Sequence, residues 1–304
     1  MRSEQDILQA FELGLEPEWP DRSAIPCRIL GYGEISTVLE IEGIPGFAAK
    51  RMPLFNSIAA AETYIGHYDT YCQRLRSAGL QIPEGRTVTV SGKVGNTVLY
   101  LLQRKLSPER FCHKLIHQQE EPQNKAIIIR LITELEKVWS YNASRSSEIK
   151  LAIDGQLSNW VLLENGDIFY VDTSTPLMHE NGDEVLDPEL FLQSAPSFLR
   201  WLIRWQFLDD VMSRYYDSRL VYTDLIANLF KEQKADLVDD WLKAINHATS
   251  GRMDALDRRQ IEAYYREDKL IWSLFLALRR LDRFIKQSLL GKRYEFILPG
   301  KIKR

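Results

Sequence analysis

The chain has 304 residues, a net charge of −3 and 45% hydrophobic residues, enough apolar content to bury a core without staples. So small a net charge gives no reason to expect nucleic acid or a membrane as partner. Three widely spread cysteines, Cys27, Cys72 and Cys112, exclude a disulfide framework and point to a reducing, cytoplasmic setting; no signal-peptide pattern and no run of about 18 apolar residues suggests export or a membrane span.

A short helix is predicted over Glu4–Leu13, followed by a Pro-containing lead-in. Strands are predicted at Cys27–Leu30 and Thr37–Ile41, on either side of a Gly-Tyr-Gly turn, and at Phe47–Met52 after the break at Gly43–Gly46. Ile58, Ala61, Ile65, Tyr68, Cys72 and Leu75 recur at helical spacing and predict a helix from Ser57 to Ala78, stopped by Gly79. Strands follow at Arg86–Val90 and Thr97–Gln103, then helices at Pro108–Gln119 and Asn124–Trp139. Ile149–Ile153 reads as extended. Trp160–Leu163 and Ile168–Val171 read as a hairpin around Asn165-Gly166, the favoured pair for a type I′ turn. From Asp187-Pro188 onward the pattern is helical, ending in a long apolar-rich helix over Leu270–Leu290 and a basic tail, Pro299–Arg304. The pattern divides into a helical lead-in (1–26), a β-rich unit (27–105) and a helical unit (106–304), with a hinge near Gln103–Leu106.

Four pieces could carry chemistry. Gly31-Tyr32-Gly33 with Ser36 lies between two strands, where glycine lets backbone amides approach phosphate oxygens, although a plain hairpin turn reads the same way. Lys50 sits on the third strand. Asp154 and Asn159 are five apart in one loop, suited to orienting a hydroxyl and binding a cation. Asp172 ends the apolar strand Ile168–Val171, where a carboxylate is costly unless paired or metal-bound.

In order and spacing these pieces resemble protein kinases, and most nearly the small-molecule kinases of the aminoglycoside and choline phosphotransferase type. The resemblance covers about residues 27–175. It implies an α+β, bilobal protein-kinase-like fold, with a small antiparallel β-rich N-lobe carrying one inserted helix and a large helical C-lobe. It also implies ATP and Mg²⁺ as cofactors and a small hydroxyl-bearing molecule as acceptor. Asp154 would be the catalytic base, and Asn159 and Asp172 the Mg²⁺ ligands. Lys50 would clamp the phosphates beneath a lid of Gly31, Gly33 and Ser36. A helix-borne carboxylate should pair with Lys50. Glu62 is the choice, because Ile58 and Ile65 are expected to turn that face inward, with Asp69 second.

The departures matter as much. Ala152-Ile153 stands where the family has His-Arg, Asp172-Thr173-Ser174 replaces Asp-Phe-Gly, and no Ala-Pro-Glu element follows. That leaves little room for a peptide-docking segment and favours a small acceptor, expected to be selected by the Leu177–Val185 loop. It also keeps open a nucleotide-binding pseudokinase that serves as an interaction module with a protein partner, and a nucleotidyl rather than phosphoryl transfer. His113 and His117, beside Cys112, lack a third ligand for zinc. Trp201, Trp205, Tyr215 and Tyr216 read as core. Arg279, Arg280 and Arg283 form a basic helix face that reads as solvated.

Overall fold

The structure is a computed structural model that describes residues 2–33, 36–93, 95–144, 148–187, 190, 192, 200 and 213–299. The helix start at Asp187-Pro188, Trp201 and Trp205, and the end of the basic tail therefore fall wholly or partly outside the described residues.

The fold is α+β. Its N-terminal part is a five-stranded antiparallel sheet in the order β1-β2-β3-β5-β4, formed by β1 (Cys27–Tyr32), β2 (Thr37–Ile41), β3 (Phe47–Phe55), β4 (Gly85–Ser91) and β5 (Thr97–Arg104). One helix, α2 (Ile58–Ser77), is inserted between β3 and β4; the Ser57 hydroxyl caps its start by accepting from the Ala60 N–H. Gly79, at φ +94°, lets the chain leave it.

Alternation along the strands gives the sheet two apolar faces. On one, Leu39, Ala49, Val98, Tyr100 and Leu102 pack against Leu8, Phe11 and Leu15 of α1 (Glu4–Gly14) or the chain just after it. On the other, Met52, Phe55, Leu99 and Leu101 pack against α2 and merge with the core of the helical part. That part contains α3 (Cys112–Gln118), α4 (Glu121–Ala143), α5 (Ser218–Lys231), α6 (Val238–Ala248) and α7 (Arg258–Phe284). Among the described residues, no helix is long and apolar enough to cross a membrane.

Between α4 and α5 lie short strands. β7 (Trp160–Leu162) and β8 (Ile168–Tyr170) form the expected hairpin, with Gly166 at φ +87° in its turn. A second hairpin was not legible: β9 (Met178–Glu180) and β10 (Asp183–Glu184) turn on Asn181 and Gly182, both at positive φ, and β9 pairs with β6 (Ile149–Leu151). The expected substrate-selecting loop is therefore largely hairpin. The helix expected over Pro108–Gln119 is split into a 3-10 turn, Pro108–Arg110, and α3, because Phe111 is extended and bridges to Val161. α7 begins twelve residues before the expected Leu270, where the Asp257 side chain caps it. A π turn, Ile285–Leu289, continues it.

Candidate functional site

Strand alternation decides where Lys50 goes. Its neighbours Ala49 and Arg51 face α1, so Lys50 points to the α2 side, with its backbone in register with Val38 and Leu101. The side chain is only 8% exposed. Its ammonium donates to the Val171 carbonyl at 2.7 Å and lies 3.7 Å from Asp172 Oδ1. Burial pulls the Lys50 pKa below its ordinary 10.5, and the Asp172 charge opposes that pull.

Asp172 follows β8 and is half-buried. Its Oδ1 also accepts the Ser174 hydroxyl at 3.0 Å. The next residues, Thr173 and Ser174, are buried and held from α2 and β5. Tyr64 Oη donates to the Ser174 carbonyl, Gln103 Nε2 lies 3.4 Å from Thr173 Oγ1, and the Tyr68 hydroxyl faces Thr173 and Cys72.

The helix-borne carboxylate expected beside Lys50 is not there. Glu62 and Asp69 are exposed, and the carboxylate that pairs with Lys50 is Asp172. The physical reason is the phase of α2. Ile58, expected to turn inward, is 62% exposed, whereas Ala61, Tyr64, Tyr68, Tyr71, Cys72 and Leu75 fill the buried face. Tyrosine carries enough apolar surface to be buried and still brings a hydroxyl to the site, which a hydrophobic count alone does not anticipate.

The loop after β6 carries Asp154 and Asn159, and backbone contacts hold it on several sides. The Ala152 N–H donates to the Leu177 carbonyl, the Ile153 N–H to the Tyr215 carbonyl, and Tyr71 Oη to the Ala152 carbonyl at 3.0 Å. The Asp154 N–H reaches Tyr170 Oη at 3.3 Å. Asp154 Oδ1 accepts the Gln156 N–H at 3.0 Å, which orients the carboxylate. The Asn159 amide nitrogen lies 3.4 Å from the Asp154 carbonyl, while the Asn159 carbonyl accepts the Val171 N–H at 2.9 Å. Val171 thus ties Asn159 through its N–H and Lys50 through its carbonyl, immediately before Asp172. Gly155 allows the loop to pass α5: a Cβ there would sit 2.9 Å from Val221 Cγ1.

Three further polar residues share a cavity with Asp154 that the sequence did not single out. Asp224 from α5, Asp268 from α7 and Arg214 line it with Gly155 and Gln156. Burial first, and Asp268 second, push the Asp224 carboxyl up, and Tyr264 Oη donates to it at 3.0 Å. No local pattern marks these residues, because they come from segments more than fifty positions past Asp154.

Lys50, Asp154, Asn159 and Asp172 are therefore brought together by direct or single-residue links. The glycine turn reaches them through the sheet, because Val38, the partner of Gly31, is itself in register with Lys50. Gly31 pairs with Val38, and the Gly33 N–H closes the turn on the Ser36 carbonyl at 2.9 Å. The cavity beside it is lined by Arg51, Trp272, Arg279 and Phe296, and not by Lys50, Asp154 or Asp172.

Among the described residues no group of three or more His, Cys, Asp or Glu side chains is arranged to hold a metal, which includes Cys112, His113 and His117. The Asp172 carboxylate and the Asn159 amide are nonetheless oxygen donors of the kind a hard cation takes. Mg²⁺ commonly uses one or two carboxylates and completes its shell with water and phosphate oxygens. The donor set thus fits Mg²⁺ only as a shared site.

No curated protein matches the chain. The profile of a family of unknown function, DUF6206, matches residues 22–283, most of the chain. The chain belongs to the DUF6206 family.

Proposed function

We propose that this protein has a bilobal, protein-kinase-like fold and transfers a phosphoryl group from ATP to a small hydroxyl-bearing molecule. One observation carries the reading: Lys50 on the third strand, 3.7 Å from Asp172, is joined through Val171 to the loop that holds Asp154 and Asn159. A five-stranded sheet with a helix inserted after its third strand, followed by a helical part, supports the bilobal architecture.

In this reading Lys50 binds phosphate oxygens, and Asp172 with Asn159 holds the cation. Magnesium, when bound, neutralises charge on the phosphates. Asp154 orients the acceptor hydroxyl and takes its proton, its carboxylate already aimed by the Gln156 N–H. Tyr71 and Tyr170 steady the loop behind it. The cavity shared by Asp154, Arg214, Asp224 and Asp268 is the place for the acceptor.

A second reading, a nucleotide-binding pseudokinase acting as an interaction module, is favoured by the burial of Lys50 and by the position of the glycine turn against α7. The test is thermal unfolding with and without ATP and Mg²⁺, together with ADP release in the presence of pooled small alcohols and amino alcohols. A ligand at a hundredfold excess over its Kd stabilises by about 2.7 kcal/mol, a shift of several degrees. A Mg²⁺-dependent shift lost in Asp172→Ala, with ADP release lost in Asp154→Ala, is expected. A shift without turnover would move the protein to the second reading. No shift would overturn both.

A further inference from the structure

Arg279 on α7 is a buried cation without a counter-charge. The sequence reads it as part of a solvated basic face, but the side chain points inward and is only 5% exposed. Its guanidinium stacks over Phe275 and Phe296, and its Nε is shielded from solvent with no hydrogen-bond partner. The Tyr294 hydroxyl faces it, close also to Asp282 and Arg283. Aromatic faces and a hydroxyl solvate a guanidinium but bring it no negative charge. Asp282 pairs with Lys286 at 2.9 Å, and among the described residues no carboxylate is in ion-pair contact with Arg279. The guanidiniums nearby are matched: Arg51 by Glu12 and Glu295, and Arg293 by Glu295. Buried charges are kept when they are paired, so Arg279 calls for an anion from outside the chain.

The side chain lines a cleft that also takes in donors from the sheet. Gly33, Ser36 and Thr37 line it from the glycine turn, and Trp272 and Phe296 from α7 and the chain after it. Thr37 is in register with Arg51, whose side chain meets Glu12 of α1, so the cleft lies on the opposite face of the sheet from Lys50. The chain after α7 closes it: Ile297 joins the apolar core around α1, and the Glu295 carbonyl accepts Arg51 Nη1 at 2.9 Å. Ser36 and Thr37 are buried, yet among the described residues neither hydroxyl donates a hydrogen bond. A Cβ at Gly33 would sit 2.9 Å from Ser36 Oγ, so the glycine leaves that hydroxyl its place. A guanidinium offers paired N–H donors to an oxyanion, and the two hydroxyls can donate to its remaining oxygens. A tetrahedral phosphate presents separate oxygens to both sides of such a cleft, whereas a planar carboxylate is used up by the guanidinium fork.

We infer that this cleft binds a phosphate group, free or at the end of a small phosphomonoester, held by the Arg279 guanidinium from α7 and by the Ser36 and Thr37 hydroxyls from the sheet. Bound there, it neutralises Arg279 and joins the glycine turn to α7. The inference is independent of the phosphotransferase reading, whose lysine is on the other face of the sheet.

The test is thermal unfolding and titration calorimetry of the full-length protein in a chloride buffer, with inorganic phosphate or glycerol 3-phosphate added at constant ionic strength. Wild type should gain about 5 °C in Tm at a hundredfold excess of ligand over Kd, with no such gain from added chloride. Tighter binding of one ligand tells free phosphate from its ester. Arg279→Met keeps the length of the side chain and removes its charge. It should bind at least about tenfold more weakly and, without phosphate, be no less stable than wild type. Thr37→Val removes one hydroxyl without touching the guanidinium and should weaken binding about threefold or more, which keeps the test open if Arg279→Met does not fold. Lys50→Met should keep the full gain. A wild type that responds to neither ligand overturns the inference, and so does undiminished binding in Arg279→Met or Thr37→Val. A gain lost in Lys50→Met but kept in Arg279→Met would also overturn it, by placing the phosphate on the other face.

Discussion

Lys50 and Asp172 should respond unequally to mutation in the absence of any ligand. At 3.7 Å and an effective dielectric of about 20, their attraction is about 4 kcal/mol. Against it stands the cost of burying the ammonium, several kcal/mol, and Asp172 is 35% exposed, so water screens part of the attraction. The two nearly cancel. Lys50→Met removes the buried cation, fills a similar volume and leaves Asp172 access to water; its stability should equal that of wild type or exceed it by about 1–2 kcal/mol. Asp172→Ala strands the ammonium with the Val171 carbonyl alone and should cost about 2–3 kcal/mol. For a chain of this size that is a fall in Tm of about 5 °C. Urea denaturation followed by circular dichroism, with thermal unfolding as a second probe, reads both effects. Lys50→Met proving as destabilising as Asp172→Ala would refute the reasoning, and would mean that the lysine is kept for the fold. The predicted outcome means that it is kept at no benefit to stability, as expected of a residue retained for a ligand.

Two further outcomes follow from buried charge elsewhere. Glu12 on α1 accepts both Arg51 Nε at 2.8 Å and Arg51 Nη2 at 2.7 Å, and Tyr100 Oη at 2.6 Å. Glu12→Ala should cost about 3 kcal/mol, the low end for a broken buried pair because the Glu295 carbonyl still holds Arg51 at 2.9 Å; equilibrium unfolding measures it. Burial works to raise the Glu12 pKa, but Arg51 and Tyr100 outweigh it and hold the carboxyl below its ordinary 4.5. The stabilisation is therefore present above pH 4.5 and lost as pH falls through the lower folded value, a loss that Glu12→Ala should lack. His113 is the second case: burial, then nearby Lys114 and Lys231, lower its pKa from 6.5 to about 4. A neutral imidazole in the fold and a charged one in the unfolded chain mean that stability declines as pH falls from 6.5 toward 4. The difference between wild type and His113→Leu across that range should track this decline, and a pH-independent difference would sink the assignment.

The order of elements through β5 was legible in the residues. Period-two and helical spacing, the breaks at Gly43–Gly46 and Gly79, and the Asn165-Gly166 turn are local signals, and each matches an element or a turn observed. The hairpin of β9 and β10 was missed because its strands are three and two residues long, too short for a period, although Asn181-Gly182 is the same turn signal. Glu62 was misplaced because the face of α2 was set by counting Ile58 and Ile65 as inward. The buried tyrosines, each with an oxygen that finds a partner in the loop or strand end opposite, were what set it.

What the sequence by itself determined is the composition of the site's parts: a lysine on a strand, an Asp–Asn loop and a carboxylate ending an apolar strand, all specified by patterns a few residues long. Only the tertiary structure decided their relations. Lys50 and Asp172 are separated by more than a hundred residues, and so are Arg51 and Glu295; no short-range rule sets which of them meet. That choice is made by which faces of the sheet and of α2 bury their apolar surface, a property of the packed chain as a whole. The same holds for α7, where packing buries Ile261 and Leu276 and leaves Leu270, Leu274 and Leu281 exposed.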